Sequence, residues 1–263
     1  MIEAKLMGVV NVTPDSFSDG GLYFDAEAAI AHGVELARAG AAILDVGGES
    51  TRPGAEEVGV EEELRRVVPV IEGLAGGRAE ISVDTSKSAV AAAALDAGAA
   101  IVNDVTALRG DPGMAPLCAE RGATVVLMHM AGNPRTMQDD PTYADLVGEV
   151  KAFLAERLEF ARAAGIDERR VWLDPGIGFG KTAAHNLELL ARLGEFGDLG
   201  RQLVVGTSRK SFIGQLDGSA ASERLGGTIA SSVLAAVEGA DVLRVHDVAE
   251  VGQALAVASA ILG

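Results

Sequence analysis

The chain has 263 residues, 48% of them hydrophobic, a length and composition that suit one α/β barrel and exclude a disordered chain. Its 22 Lys and Arg against 38 Asp and Glu give a formal charge of −16, which argues against nucleic acid and membrane as partners and demands a local basic cluster for any anionic substrate. The single cysteine, Cys118, excludes an internal disulfide, and without a stretch of signal-peptide or membrane-helix character the expected setting is cytoplasmic.

Short apolar runs recur at residues 5–10, 42–46, 80–83, 100–103, 124–128, 171–173, 203–206 and 242–245. Each is too short for a typical helix, and several are apolar at nearly every position, as in parallel strands buried on both faces. Helical spacing marks residues 26–38, 61–74, 88–97, 114–120, 143–163, 186–193, 222–237 and 248–262. Gly40, Gly98, Gly165 and Gly239 follow four of these segments, where helices commonly end. Eight alternating units without a linker predict one closed (β/α)8 TIM barrel, a single domain over residues 1–263, with a doubly wound open sheet as the alternative. The connections at 11–25, 47–60 and 129–142, after strands 1, 2 and 5, are long, and long βα loops lie at the catalytic face.

The strand ends deliver Asn11, Asp45, Asp84, Asn103, Asp104, His129, Asp174, Ser208, Arg209, Lys210, Arg244, His246 and Asp247. Strand ends are polar partly because they leave the core, but that accounts poorly for carboxylates, amides and cations converging on one rim. A rim carboxylate such as Asp174 can accept two parallel hydrogen bonds from an amidine-like edge, which a pterin offers. Asp84 and Asn103 could meet other ring heteroatoms, Lys210 a ring carbonyl or nitrogen, and Arg244 a π face or a phosphate. Arg52, Arg244 and His246 supply the local positive cluster, and Asn11 could ligate Mg²⁺ with few other protein ligands. Asp45 is expected to orient Asn11 or Arg52, His129 to be structural, and Cys118 to be buried and inert. Asn186 is expected to cap a helix, and Glu61, Glu62 and Glu63 to form a solvated charged face.

The segments GVVNVTPDSFSDG (8–20), DVGGESTRP (45–53), SVDT (82–85), NDV (103–105), LMHM (127–130), DPGIGFGK (174–181), GTSRKSF (206–212) and RVHD (244–247) fall in the order found in the dihydropteroate synthases. The chain resembles that family along essentially its whole length. The resemblance implies that Asp84, Asn103 and Asp174 bind the pterin edge, with Lys210 on the ring, Arg244 stacked against it, and Val105 and Met128 as apolar walls. It implies Asn11, Thr51, Arg52, Arg244 and His246 for the pyrophosphate and Mg²⁺, and Thr51, Pro53, Phe179, Lys210 and Ser211 for p-aminobenzoate. Phe17 and Asp19 would complete the site from the first loop. The implied reaction is a dissociative substitution: pyrophosphate leaves, and the amine of p-aminobenzoate attacks the cationic pterin methylene. A homodimer is the family's usual assembly, and residues 229–237 could serve it. Two related readings are a methyltetrahydrofolate–corrinoid methyltransferase, which does not need the Thr51–Arg52 loop, and a non-catalytic pterin-binding paralogue, which could lose Phe17, Asp19 or Arg52. A generic phosphate-binding barrel would carry Gly-rich anion sites after strands 7 and 8, where Ser208, Arg209 and Lys210 stand instead.

Overall fold

The computed structural model describes residues 2–12, 26–50, 57–132, 137 and 141–263. Eight parallel strands pair in chain order and close on themselves, β1 (Lys5–Asn11), β2 (Ile43–Gly47), β3 (Glu80–Asp84), β4 (Ile101–Asp104), β5 (Thr124–Met128), β6 (Val171–Asp174), β7 (Gln202–Val205) and β8 (Val242–Val245). The predicted TIM barrel is therefore the fold. Five strands run one residue beyond the apolar run that marks them, through Asn11, Gly47, Asp84, Asp104 and Asp174. The four polar residues among them consequently sit on the hydrogen-bonded sheet, a more rigid platform than a loop.

Nine α-helices stand among the described residues, not the expected eight: α1 (Ala26–Arg38), α2 (Val60–Leu74), α3 (Ser88–Ala97), α4 (Met114–Arg121), α5 (Leu146–Ala163), α6 (Ala183–Ala191), α7 (Ser211–Asp217), α8 (Leu225–Val237) and α9 (Val248–Leu262). The additional one, α7, is only two turns long and contains Gly214, so it lacks the extended apolar period of its neighbours. Helix α6 begins three residues earlier than predicted. Its cap is Thr182, whose hydroxyl accepts from the His185 N–H while His185 Nδ1 accepts from the Thr182 N–H, so Asn186 is not the cap.

The expected solvated face at residues 61–63 also needs correction. Glu63 is fully buried, on the same stripe of α2 as Val67, Val70, Ile71 and Leu74. Lys87 neutralises it at 2.6 Å and reaches Glu49 at 2.5 Å, and Glu49 accepts from the Val58 N–H. A buried carboxylate needs such a partner.

Side chains alternate between the two faces of each strand. Outward residues such as Leu44, Val46, Val83, Val102, Leu127, Leu173, Val205 and Val245 join the helices in the main core. Inward residues Met7, Ile43, Ile101, Val126, Trp172, Val204 and Val242 plug the barrel as one apolar cluster.

Candidate active site

One pleat above the plug, two residues further along each strand, stand Val9, Asp45, Asp84, Asn103, Met128, Asp174, Gly206 and Arg244. Parallel register places Asp84 beside Asn103 and Met128 beside Asp174. The period of the strand thus converts an apolar layer into a polar one within about 7 Å of rise.

Arg244 is held flat by two carboxylates. Its Nε donates to Asp45 at 2.6 Å and its Nη2 to Asp84 at 2.8 Å. Asp45, fully buried, also accepts from Asn103 Nδ2 at 3.0 Å. Asp45 therefore orients Arg244 and Asn103, not Asn11; Arg52, the other expected partner, lies outside the described residues. Burial pushes the Asp84 carboxyl up, against the pull of Arg244. Burial also works against the Arg244 charge, but Asp45 and Asp84 together hold its pKa above the ordinary arginine value. Nε and Nη2 are committed to these carboxylates, and among the described residues no hydrogen bond is made by Nη1.

Asp174 ends β6 and begins a loop folded tightly on its neighbours. Its Oδ1 accepts from the Gly176 N–H at 2.6 Å. Gly176 has φ +70 and faces the His129 carbonyl so closely that a Cβ could not fit. Asn186 Oδ1 accepts from the Gly178 N–H at 2.6 Å, and the Tyr143 hydroxyl donates to Gly180 O at 2.7 Å. Asn186, expected as a cap, thus braces this loop instead. Lys210 reaches in above Gly206, donates to Ile177 O, and lies 4.8 Å from the centre of the Phe179 ring. Burial lowers the Lys210 pKa to about 8, with Asp174 opposing that fall. Burial raises the Asp174 pKa, with Lys210 and the Gly176 N–H acting against it.

Val105 and Met128 cluster with Met130 and Met137, and Phe179 packs against them, so both expected pterin walls meet the expected p-aminobenzoate wall. His246 Nδ1 and Ser208 Oγ are 2.9 Å apart, placing the end of β8 beside the loop after β7. Ser211 is exposed at the start of α7. Asn11 is half-buried at the rim end of β1, in register with Gly47. Phe17, Asp19, Thr51, Arg52 and Pro53 lie outside the described residues.

Four strand-end residues, Asp104, Arg209, Asp247 and His129, are engaged within the protein. The Asp104 carboxylate folds back on the Thr106 N–H and hydroxyl and the Leu108 N–H, supporting a turn in which Ala107 and Leu108 have positive φ. Arg209, itself at φ +56, is paired with Asp247. His129 is buried, with Nδ1 2.9 Å from Lys181 Nζ and its ring edge-on to Phe153, and burial lowers its pKa to about 3. It is a neutral, hydrogen-bonded histidine, as expected. Sequence reasoning assigned no part to Lys181, Asn186, Met130 or Met137 in this arrangement. Lys181 and Met130 stand inside quoted motifs, but nothing local announces that a lysine there is buried.

The family described as "Pterin binding enzyme" matches residues 7–246. The dihydropteroate synthase of Escherichia coli (strain K12) is 51% identical over 259 residues, covering 98% of this chain and 91% of that protein. Among solved structures, Xanthomonas albilineans dihydropteroate synthase with 4-aminobenzoic acid superposes with a TM-score of 0.93 at 52% identity, covering 99% of this chain and 93% of that one. The Yersinia pestis dihydropteroate synthase in complex with a sulfonamide drug gives 0.94 at 46% identity, covering 99% and 94%. A buried ring of carboxylates, an amide and cations, set one pleat above a barrel plug and matched over nearly the whole chain by these relatives, places the chain in the dihydropteroate synthase family of pterin-binding enzymes.

Proposed function

We propose that the chain condenses 6-hydroxymethyl-7,8-dihydropterin pyrophosphate with p-aminobenzoate, releasing 7,8-dihydropteroate and pyrophosphate. The observation that carries this reading is the rim itself. Asp174 ends its strand at the rim, held through Oδ1 by the Gly176 N–H, paired in register with Met128 and close enough to Lys210 for their charges to interact. Asp174 accepts from the 2-amino and N3–H edge of the pterin, Asp84 and Asn103 meet the other heteroatoms, and Lys210 donates to the ring. Arg244, locked by Asp45 and Asp84, offers its face to the ring and Nη1 to the pyrophosphate. His246, with Arg52, completes the anion site.

As the carbon–oxygen bond to pyrophosphate breaks, the leaving oxygens gain charge opposite Arg244 and His246. The methylene becomes cationic, its charge spread through the pterin ring toward the edge that Asp84 and Asp174 hold, and the aniline nitrogen attacks it and sheds a proton. No strong general base is required for that attack. For Mg²⁺, Asn11 would be a single neutral amide ligand, and no group of three or more His, Cys, Asp or Glu suited to a metal occurs among the described residues. That donor set fits a cation held by one side chain, water and substrate pyrophosphate, which would supply charge neutralisation on the leaving group.

The cytoplasm and a homodimer belong to the same proposal. Cys118 is a buried free thiol, and no helix among the described residues is long and apolar enough to cross a membrane. Leu234 and Val237 on α8 and Val257 and Ile261 on α9 are exposed, Ile261 at 76%, and give these two contacting helices apolar surface. A second copy of the chain would cover it. Sedimentation at micromolar concentration checks this: a monomer removes the dimer from the proposal.

The activity is tested by mixing the protein with the pterin pyrophosphate, p-aminobenzoate and Mg²⁺, and following pyrophosphate release with and without the amine. Amine-dependent release with formation of dihydropteroate supports the reading. Pterin binding without turnover would indicate a non-catalytic paralogue. Inhibition by a sulfonamide, competitive with p-aminobenzoate, is expected by extension from the Yersinia pestis complex.

A further inference from the structure

We propose that Lys181 is a positioning residue for the reaction, closing the loop from Asp174 to Lys181 onto His129 so that the pterin edge and the p-aminobenzoate wall are presented together; this rests on the synthase reading given above. The loop starts and finishes on the same residue. At its start, the His129 N–H donates to Asp174 O at 2.9 Å. At its end, Lys181 Nζ donates to His129 Nδ1 at 2.9 Å and approaches His129 O at 3.5 Å. A third ammonium bond reaches back into the loop, to Phe179 O at 2.9 Å. Between these anchors Gly176 faces the His129 carbonyl with no room for a side chain.

Two features separate this arrangement from ordinary packing. Lys181 is only 3% exposed, yet each ammonium proton meets a neutral acceptor, so no hydrogen-bonded carboxylate offsets the burial of its charge. A buried cation of this kind is a poor device for stability, and an apolar side chain of similar volume would fill the space at less cost. Burial lowers the Lys181 pKa to about 7, with Asp174 opposing that fall, and in its protonated form Lys181 in turn acts across space on Asp174, opposing the upward push of burial there and favouring the carboxylate. The second feature is the partner. To accept from an ammonium, His129 Nδ1 must be unprotonated, and the surroundings enforce that: burial, Lys181 and Arg109 all disfavour the imidazolium, while Tyr143 and Phe153 enclose the ring. A neutral histidine that cannot titrate in the working range is a fixed acceptor. Lys181 thereby sets Phe179 through its carbonyl, and the Phe179 ring lies under Lys210. Asp174 on one flank and Phe179 with Lys210 on the other depend on one closed loop.

The test compares wild type with Lys181→Met, which keeps the stem and removes all three donors, and Lys181→Gln, which keeps two donors and removes the charge. Calorimetry measures the binding of pterin alcohol, p-aminobenzoate with pterin present, and inorganic pyrophosphate with Mg²⁺, and the melting temperature is recorded for each protein. In Lys181→Met, the pterin and p-aminobenzoate affinities are expected to fall about tenfold each, as for loss of a charged hydrogen bond at one remove. Pyrophosphate binding, which relies on Arg244 and His246, should stay within about twofold, and the melting temperature should not fall, because a buried charge has been removed. Lys181→Gln should recover most of the p-aminobenzoate affinity while its pterin binding weakens at a higher pH than in wild type, as Asp174 protonates more readily. Wild-type affinities in both variants would overturn the proposal. So would a uniform loss of all three ligands with a lower melting temperature, since that marks a residue needed only for the fold. If Lys181→Met does not fold, the ligand pattern of Lys181→Gln decides by itself. Failure of the wild-type protein to form dihydropteroate would instead strike the synthase reading, and the binding pattern would still judge Lys181.

Discussion

Two layers of the same barrel, one pleat apart on the same eight strands, differ almost completely in character. The lower layer, Met7 to Val242, is apolar apart from the buried Ser82 of β3. The upper holds three buried carboxylates, a buried amide and a confined arginine. The backbone ladder is common to both, so the difference resides only in side chains two residues apart. The lower layer contributes stability through excluded water and close packing. The upper layer costs stability, because each ion must be withdrawn from water and only partly recovers that loss in Arg244–Asp45 and Arg244–Asp84. A site of this kind persists because the plug beneath it and the helices around it over-determine the strands.

Mutations should separate the layers. The largest effect is expected from Met7→Ala in the plug, which should lower stability by about 2–5 kcal/mol in chemical denaturation while leaving kcat/KM of the folded protein nearly unchanged. A large kinetic loss there would erase the distinction. Next is Asp174→Asn, for which pterin affinity should drop about tenfold or more in calorimetry, because an ionised acceptor is replaced by a half-donor. Its melting temperature should hold or rise, since a buried charge disappears. The pH dependence of Lys210 is smaller but sharper. The ammonium is the useful donor, so kcat/KM for the pterin should decline as pH rises through about 8, and Lys210→Met should lose that limb together with activity. Stability follows the opposite sign. The folded pKa lies below the unfolded one, so the folded state binds fewer protons between about 8 and the ordinary lysine range, and this group's contribution to stability increases as pH climbs across that window. The smallest effect is Ile43→Val, beneath Asp45, at about 1 kcal/mol of stability with unchanged pterin affinity.

Much of this was legible in the sequence because short runs apolar at nearly every position announce buried parallel strands, and eight such runs alternating with helices leave few closed solutions. The rim residues were legible for the same reason: Asp84, Asn103 and Asp174 stand at the ends of apolar runs, and Asp45 and Arg244 one residue before the end of theirs. What was hidden depends on long-range pairing. That Asp45 serves Arg244, 199 residues away, follows from barrel closure and not from any local signal. Lys87 spans from α3 to Glu49 and Glu63 in the same way. Glu63 itself could have been read correctly. Three consecutive glutamates cannot share one helix face, and only the third has Val67, Val70 or Ile71, and Leu74 at helical spacing. Asn186 misled because an asparagine near a helix start suits a cap, yet Thr182 with His185 satisfied that end first.

Trp172 lies in the plug, on β6, two residues below Asp174, and it is the only tryptophan in the chain. The molecule therefore carries its own optical reporter directly beneath the proposed pterin seat, about 7 Å away along the strand. One indole emission signal can follow both the unfolding of the lower layer and the filling of the upper one, so stability and ligand occupancy can be read from the same unlabelled sample.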